Sequence, residues 1–306
     1  MEKSLREVVD MIKDGGIHAA GAVREINKKI PIQGERHVAK LKGRDVDIAY
    51  YRASAPGKPL FIGMHGGGFI TGGSAIDDKM WDAFCKAWDV NIASVDYRMG
   101  PVNKWPAGLL DVYETTLYLI DHVEEFGFDV DNIMIGGESA GGNLAATACI
   151  YAKQQGMDLY KKQILIYPYL DFASDPFARG SSGALTPPFF VAMHELYINE
   201  ENYAYSTASP VCATLEELQG LPEAIVLLAS EDVLCPEGKR YIGMLKEAGV
   251  SVVEKIFEGM PHAFIENAYA AVIPDMFMDD LTKAILEDGS MRAAAEEAIL
   301  FVKENL

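Results

Sequence analysis

The sequence predicts an α/β fold in which a mostly parallel central sheet carries helices on both faces. Short apolar runs rich in β-branched residues alternate with amphipathic helical stretches along the 306-residue chain. Strands of a parallel sheet are buried on both faces and therefore appear as nearly continuous apolar runs, with helices as the crossover connections. Apolar residues make up 49% of the chain, which is enough for one large core. We therefore expect a single domain over residues 1–306.

The predicted elements follow one another in the order that such a sheet requires. The predicted strands are Asp45–Tyr51, Leu60–Met64, Val90–Val95, Asn132–Ile135, Gln163–Tyr167, Glu223–Ala229 and Ser251–Phe257. The helices predicted between and after them cover 76–88, 106–126, 140–155, 236–248 and 291–305. The sequence contains no internal repeat, so these elements predict one layered unit.

Two segments outside this alternation predict a helical cap. Residues 1–30 have apolar residues at three- and four-residue steps, which is typical of an amphipathic helix. Residues 171–211 lack strand periodicity and are rich in aromatic residues, and a long excursion of this kind is more often a cap than a loose loop. We expect these two segments to form the cap together. A second excursion, 263–290, contains a predicted helix at Met276–Leu286 and is assigned no role.

The charge of the chain argues against two classes of partner. The formal net charge is −18, because Asp and Glu (45) outnumber Lys and Arg (27). Nucleic-acid binding depends on Lys and Arg side chains that neutralise phosphates, and the sequence contains no basic run. The same charge opposes binding to an anionic membrane surface. We therefore expect neither nucleic acid nor a membrane as a partner.

Cysteine usage and the N-terminal sequence favour a cytoplasmic location. The four cysteines lie far apart and show no metal-binding spacing, which is typical of free thiols in a reducing compartment. The first residues carry charges of both signs and lack the apolar core of a secretory signal. No stretch reaches the ~18 apolar residues of a membrane span. No metal or organic cofactor is expected.

A candidate nucleophile, Ser139, lies in the segment 137–141, which reads GESAG and fits the pattern G-x-S-x-G. An apolar strand precedes this segment and an Ala-rich helix follows it, so the serine lies in a tight strand-to-helix turn. Side chains at the two flanking glycine positions would collide in such a turn. The start of the helix also favours a developing negative charge. We therefore predict that Ser139 is the nucleophile.

A glycine-rich loop upstream predicts a site that stabilises an oxyanion. Residues 65–69 read HGGGF and follow a predicted strand. Consecutive glycines let backbone N–H groups approach a reacting carbonyl without obstruction by Cβ atoms. Each such donor is worth about 10²–10³ in rate. A Walker-type phosphate loop would need Gly-Lys-Ser/Thr, which is absent. We expect His65 to brace this loop rather than to act as a base.

The base and the acid are predicted from their places after the last strands. A serine hydroxyl needs an adjacent base, and His262 follows the last predicted strand in a loop that can reach Ser139. Asp232 follows the strand Glu223–Ala229 and can orient the imidazole, with Glu231 as its neighbouring competitor. The order Ser139, Asp232, His262 is the order found in α/β-hydrolases.

Together these motifs resemble those of the hormone-sensitive-lipase-like esterases of the α/β-hydrolase superfamily. The matching segments read HGGGF (65–69), DYRMGPVNKWPAGLLDVY (96–113), GESAGGN (137–143), SEDVLCPEG (230–238) and GMPHAF (259–264). The resemblance implies a catalytic triad of Ser139, Asp232 and His262. It also implies an oxyanion hole formed by the N–H groups of Gly67, Gly68 and Ala140.

The chain departs from the pattern of this family at two motifs, and its excursion 263–290 is not matched to the family. The family usually has Asp where Glu138 stands, and it has an LAPE-like sequence where this chain reads MGPV at 99–102. Neither departure removes a catalytic group. We expect Glu138 to brace the neighbouring loops.

The resemblance implies a carboxylic ester hydrolase that acts on a small-molecule ester. Candidate wall residues of the substrate pocket are Phe69, Phe189, Phe190, Met193 and Tyr197. Their bulk indicates a small acyl pocket for acetyl to about hexanoyl chains. The resemblance is also compatible with a homodimer.

Three alternative functions stay open at this point. The same catalytic groups hydrolyse amides in arylformamidases and acylaminoacyl peptidases. The fold also occurs in binding proteins without catalytic activity, but such proteins lose the base, whereas His262 is present. Hydrolysis of lipids at an interface would require a large exposed apolar lid, and the acidic balance of the chain argues against it.

Overall fold

An eight-stranded sheet forms the centre of the computed structural model, which describes residues 4–270 and 279–306. From β1 to β8 the strands are Glu35–Leu41, Arg44–Tyr51, Lys58–Met64, Asn91–Val95, Phe128–Glu138, Lys162–Ile166, Glu223–Ala229 and Val252–Phe257. Their order across the sheet is β1-β2-β4-β3-β5-β6-β7-β8. The pairs β1–β2 and β2–β4 are antiparallel, and every pair from β4 to β8 is parallel. The predicted mostly parallel sheet and all seven predicted strands are confirmed.

Strand β1 is the one strand of the described sheet that the sequence did not predict. It reads ERHVAKL, most of its residues are exposed or partly exposed, and only Ala39 is fully buried. It joins β2 through a tight turn in which Gly43 has a φ of 78°. A charged strand at the edge of a sheet protects that edge from pairing with other chains. Such a strand has no continuous apolar run, and the prediction depended on apolar runs.

Helices cover both faces of the sheet. From α1 to α11 they are Leu5–Lys29, Asp78–Trp88, Ala107–Asp121, Val123–Phe126, Ala140–Gln154, Pro187–Tyr197, Leu215–Leu218, Cys235–Glu247, Phe264–Tyr269, Asp280–Glu287 and Ser290–Asn305. The helices predicted between and after the strands are confirmed as α2, α3 with α4, α5, α8 and α11.

The core consists of two clusters of buried apolar side chains, one on each face of the sheet. Along β3, Leu60, Ile62 and Met64 belong to the first cluster, whereas Phe61 belongs to the second. This alternation follows from the two-residue period of a strand. Helices α3, α5 and α8 complete the first cluster, and α2 and α11 complete the second. The central strands are therefore buried on both faces and hold their carboxyl ends in fixed positions.

Helices α1 and α6 pack against each other. Arg6 and Lys13 of α1 pair with Glu195 of α6, at 2.8 and 2.6 Å between nitrogen and oxygen. At the other end of α1, the side chain of Asn27 donates a hydrogen bond to Asp96 at 2.9 Å. The remainder of the segment 171–211 consists of loops and short 3-10 turns. The two segments predicted to form the cap, 1–30 and 171–211, thus each contribute one helix, and these two helices are in contact.

The second excursion, 263–290, contains α9 and α10. The predicted helix Met276–Leu286 overlaps α10 from Asp280 onward, and its residues 276–278 lie outside the described residues.

Within residues 4–270 and 279–306, no helix combines the length and the apolarity that a bilayer crossing requires. In the same ranges no group of three or more His, Cys, Asp or Glu side chains is arranged to hold a metal ion. The four cysteines are free thiols. The cytoplasmic location and the homodimer stay predictions.

Candidate active site

Ser139 lies in the sharp turn between β5 and α5. Its φ of 55° and ψ of −113° are strained values for a residue with a side chain. Its N–H donates to the carbonyl oxygen of Ile166 at 2.9 Å, which ties the turn to β6. A Cβ atom at Gly137 or Gly141 would lie 2.2 or 2.1 Å from the carbonyl oxygen of Met64. Both flanking positions therefore require glycine, which explains the G-x-S-x-G pattern.

His262 lies between Ser139 and Asp232. Its Nε2 atom is 2.9 Å from Ser139 Oγ, and its Nδ1 atom is 2.6 Å from Asp232 Oδ2. The Asp232 carboxylate is buried and also accepts the N–H of Leu234 at 2.9 Å, which fixes its orientation. When Nδ1 donates to Asp232, Nε2 has no proton and can accept the serine proton. The structure thus brings together the three residues that the sequence predicted.

Burial and a carboxylate act in opposite directions on His262. Loss of hydration by itself would lower the pKa of His262, because it disfavours the charged imidazolium. The charge of Asp232 and its hydrogen bond to the ring act against this effect, and the pKa of His262 is raised overall. The site therefore stabilises the imidazolium that forms when a base accepts the serine proton.

The glycine loop after β3 lies beside Ser139 and has a conformation that glycine favours. Gly67 and Gly68 have φ values of 98° and 61°, and a Cβ atom at Gly67 would lie 2.2 Å from the carbonyl oxygen of Thr71. The N–H of Gly66 donates to Glu138 Oε1 at 3.0 Å, so Glu138 ties this loop to the nucleophile turn. Ala140 is the first residue of α5.

His65 packs within the core beneath this loop. Its ring stacks on Tyr97 with 4.3 Å between the ring centroids, and its Nδ1 atom is 2.8 Å from the carbonyl oxygen of Gly66. Complete burial lowers the pKa of His65 to about 4, so the ring is neutral at neutral pH. The burial and packing of His65 fit a side chain that braces the loop.

Ser139 and His262 open into a cavity of about 410 Å³. Of the predicted wall residues, Phe189, Phe190 and Met193 of α6 line this cavity. Phe69 and Tyr197 do not. Their rings stack on each other with 4.2 Å between centroids, and both side chains are fully buried. The tight turn of the glycine loop, where Phe69 has a φ of 63°, directs this ring into the core under α6 instead of into the cavity.

The cavity lies among elements from distant parts of the chain. The other residues that line it are Ile12, Gly15, Gly16, Gly67, Gly68, Ile70, Thr71, Tyr169, Leu185, Leu234, Ala263 and Glu266. Helix α1 therefore contributes to one wall, and α6 to another. Apart from Glu266, no carboxyl group of the described residues lines the cavity.

Glu266 lies in the first turn of α9, four residues after His262. The Tyr167 hydroxyl donates a hydrogen bond to Glu266 Oε2. The Tyr167 ring meets the His262 ring edge-on, with 5.1 Å between centroids. The carboxyl group of Glu266 is thus held at the His262 side of the cavity.

Comparison with known proteins identifies the family to which this architecture belongs. A family model described as alpha/beta hydrolase fold matches residues 61–266, which is more than half of the chain. The chain belongs to this family. Over 245 residues this α/β hydrolase is 31% identical to an arylesterase of Saccharolobus solfataricus, covering 76% of this chain and 78% of that protein.

Two further comparisons agree with this assignment. The α/β hydrolase is 31% identical over 232 residues to the carboxylic ester hydrolase LipN of Mycobacterium tuberculosis, covering 72% of this chain. The alignment spans 61% of LipN, so the chain matches about three fifths of that relative's length. The solved structure of a thermostable carboxylesterase cloned from a metagenomic library has a TM-score of 0.73 and 30% identity, covering 95% of this chain and 97% of that one. The predicted family of hormone-sensitive-lipase-like esterases is confirmed, and with it the prediction of a carboxylesterase-type enzyme.

Several lining residues of this α/β hydrolase were not predicted from the sequence. Tyr169 follows β6 at the carboxyl edge of the sheet, where α/β folds bind their ligands, so its position was a usable signal. Glu266 lies four residues after His262 in a helix that was not predicted, so no signal pointed to it. Gly15 and Gly16 carry no side chain and gave no signal, because a helical glycine in a sequence does not reveal what lies beside it.

Proposed function

We propose that the protein is a serine carboxylic ester hydrolase that cleaves small esters with short acyl chains through an acyl-enzyme on Ser139. The observation that carries this proposal is the hydrogen-bonded line from Asp232 through His262 to Ser139, with distances of 2.6 and 2.9 Å. The names of the relatives support ester substrates as the class.

In the first step, His262 Nε2 accepts the proton of Ser139 as Oγ attacks the ester carbonyl carbon. Asp232 holds the imidazole in the required tautomer and stabilises the imidazolium. The carbonyl oxygen becomes negative in the tetrahedral intermediate. The N–H groups of Gly67, Gly68 and Ala140 donate hydrogen bonds to it, a role supported by the positive φ values of the two glycines.

In the second step, the ester C–O bond breaks and the alcohol leaves with the proton from His262. Water then donates a proton to His262 and attacks the acyl-enzyme carbonyl. The carboxylic acid departs as the proton returns to Ser139. Besides the ester and water, these steps use side chains and backbone N–H groups of the described residues.

Helices α1 and α6 serve as the cap of this site. Both line the cavity that contains Ser139, and ion pairs of Glu195 with Arg6 and Lys13 join them. The aromatic rings of Phe189 and Phe190 limit the space for the substrate, which supports acyl chains from acetyl to about hexanoyl. The chain is one catalytic unit with this cap over its carboxyl edge.

The test is a panel of p-nitrophenyl esters from acetate to laurate, measured on the purified protein with Ser139→Ala as the blank. We expect kcat/KM to be highest between acetate and hexanoate, and Ser139→Ala to lower kcat by at least about 10⁴. Wild-type-like turnover by Ser139→Ala would contradict the nucleophile. A maximum at laurate would contradict the short acyl pocket.

A parallel comparison of phenyl acetate with N-formylkynurenine separates esters from amides. We expect the ester to be the better substrate by kcat/KM. Faster hydrolysis of the amide would instead favour the arylformamidase type of reaction.

A further inference from the structure

We infer that the catalytic cavity contains a subsite for a positively charged amine on the alcohol half of the ester, and that Glu266 is the residue that recognises it. This inference rests on the proposed function, because it assigns the alcohol half by the position of the proposed base. It adds the chemical class of the leaving alcohol, which neither the triad nor the apolar walls determine.

The position of Glu266 identifies which half of the ester it faces. The base must return its proton to the leaving oxygen, so the alcohol lies on the His262 side of Ser139. Glu266 lies four residues after His262, in the first turn of α9, and lines the same cavity. A group attached a few bonds from the leaving oxygen therefore comes close to this carboxyl group.

Ionisable side chains surround Glu266: the charge of His262 acts to lower the pKa of Glu266, and the charge of Asp232 acts to raise it. Two other carboxyl groups, those of Asp77 and Glu138, lie near enough to act on it electrostatically. Among the described residues no lysine or arginine forms an ion pair with any of the three. His65, which precedes the Gly66 N–H that Glu138 accepts, is neutral because burial lowers its pKa to about 4.

The Glu138 side chain lies beside that of Asp77. It is 1% exposed, its Oε1 atom accepts the N–H of Gly66, and its hydrogen bond with Asp77 acts to lower the pKa of Asp77. Loss of hydration and repulsion between the carboxyl groups raise the pKa of Asp77 and of Glu138. Loss of hydration also raises the pKa of Glu266. A cation in the cavity would offset both effects, because it stabilises the ionised form of each carboxyl group.

The shape of the surrounding space supports the same occupant. A second cavity of about 210 Å³ shares Glu266 with the catalytic cavity and is also lined by Asp77 and Asp78. Lys79 lines it as well, but this side chain is exposed and forms no ion pair with the three carboxyl groups. The apolar walls of the catalytic cavity suit the carbon atoms of the substrate, and Glu266 is the one carboxyl group among the described residues that line it.

The experiment compares two esters that differ in charge and hardly in shape. 2-(Dimethylamino)ethyl acetate carries a protonated amine at pH 7, and 3-methylbutyl acetate has a carbon atom in place of that nitrogen. We expect wild-type kcat/KM to be on the order of tenfold higher for the amine ester, as for a partly desolvated charge pair. We expect Glu266→Gln to bring the ratio of kcat/KM for the amine ester to kcat/KM for 3-methylbutyl acetate close to one.

Glu258→Gln is the matched control. Glu258 is an exposed carboxylate in the turn that leads to His262, and it lines neither cavity. This variant should keep the wild-type ratio, because it removes the same charge without changing the cavity. A wild-type ratio at or below one, or a preference for the amine that survives in Glu266→Gln, would overturn the inference.

A second measurement does not depend on the folding of any variant. 2-(Dimethylamino)ethanol should inhibit wild-type hydrolysis of p-nitrophenyl acetate competitively and at lower concentration than 3-methylbutanol. Equal inhibition by the two alcohols would contradict the subsite. If the protein hydrolyses neither p-nitrophenyl acetate nor the two alkyl acetates, the proposed ester hydrolysis itself is contradicted. A failure of the amine subsite is therefore distinguishable from a failure of the proposed function.

Discussion

The catalytic edge of the sheet and the wall formed by α1 and α6 differ in how much change each can accept. At the catalytic edge, backbone atoms contact one another directly, and a Cβ atom at Gly141 would lie 2.1 Å from the carbonyl oxygen of Met64. In α1, a Cβ atom at Gly15 or Gly21 would have no neighbouring atom within 4 Å. Both regions contain glycines, but only in the first are they sterically required.

This difference separates the chemistry from the choice of substrate. Loops and turns at the carboxyl ends of parallel strands hold Ser139, Asp232 and His262, and we expect substitutions there to act on the proposed reaction itself. The α1–α6 wall is held by side-chain packing and by ion pairs that are partly exposed, which contribute little to stability individually. We therefore expect substitutions in the wall to change specificity while the catalytic groups stay in place.

The largest expected effect on the catalytic edge comes from Asp232→Asn. We expect kcat for p-nitrophenyl acetate to fall by about 10³–10⁴, because an amide does not hold the required histidine tautomer. The Asp232 carboxylate raises the pKa of His262 against the opposite effect of burial, and the base acts only when neutral. The acidic limb of the kcat/KM profile should therefore move to lower pH in the variant.

The neighbouring carboxylate provides the control for this experiment. Glu231→Gln removes an exposed charge one residue away from Asp232. It should leave kcat for p-nitrophenyl acetate and the acidic limb of the kcat/KM profile unchanged. A pH–rate profile of Asp232→Asn that matches wild type would contradict the role of Asp232.

A pair of glycine substitutions measures the structural contrast directly. We expect Gly141→Ala to lower the free energy of unfolding by about 2–4 kcal/mol, because its Cβ would overlap a backbone oxygen. Gly21→Ala should raise it by about 0.5–1 kcal/mol, because alanine is the better helix former at an exposed position. Urea denaturation of the two variants checks the prediction. Equal free energies of unfolding for Gly141→Ala and Gly21→Ala would show that glycine is no more required at the catalytic edge than in α1.

The smallest expected effect lies in the wall and concerns specificity. Gly15 lines the cavity, so the side chain of Gly15→Leu would occupy space at the α1 wall. We expect the ratio of kcat/KM for hexanoate to that for acetate to fall by about tenfold, the size of effect that one or two methylene groups have in an apolar pocket. Gly21→Leu, in the same helix but outside the cavity, is the control. A ratio unchanged by Gly15→Leu would place α1 outside the substrate path.

The same contrast explains which features could be predicted from the sequence. Glycines at 67, 137 and 141 are required by local backbone geometry, and Asp232 and His262 follow strands directly, so short patterns revealed them. Strand β1 was not predicted because its charged residues do not show the apolar run on which the prediction depended.

The composition of the cavity wall depends on contacts between distant segments. Phe69 lies next to the glycine loop in sequence, yet its ring stacks on Tyr197 in the core. Glu266 lines the cavity because α9 starts directly after the His262 loop, a turn that no local pattern indicated. Such positions follow from the packing of helices on the sheet, which a single sequence does not specify.

Covalent labelling of the nucleophile tests the central claim most directly. The wild-type protein is treated with a fluorophosphonate, digested and mapped by mass spectrometry, with Ser139→Ala and His262→Ala in parallel. We expect one adduct, on Ser139, no adduct in Ser139→Ala and much slower labelling of His262→Ala. Ester hydrolysis that continues without an adduct on Ser139, or an adduct on another residue that abolishes activity, would contradict the account.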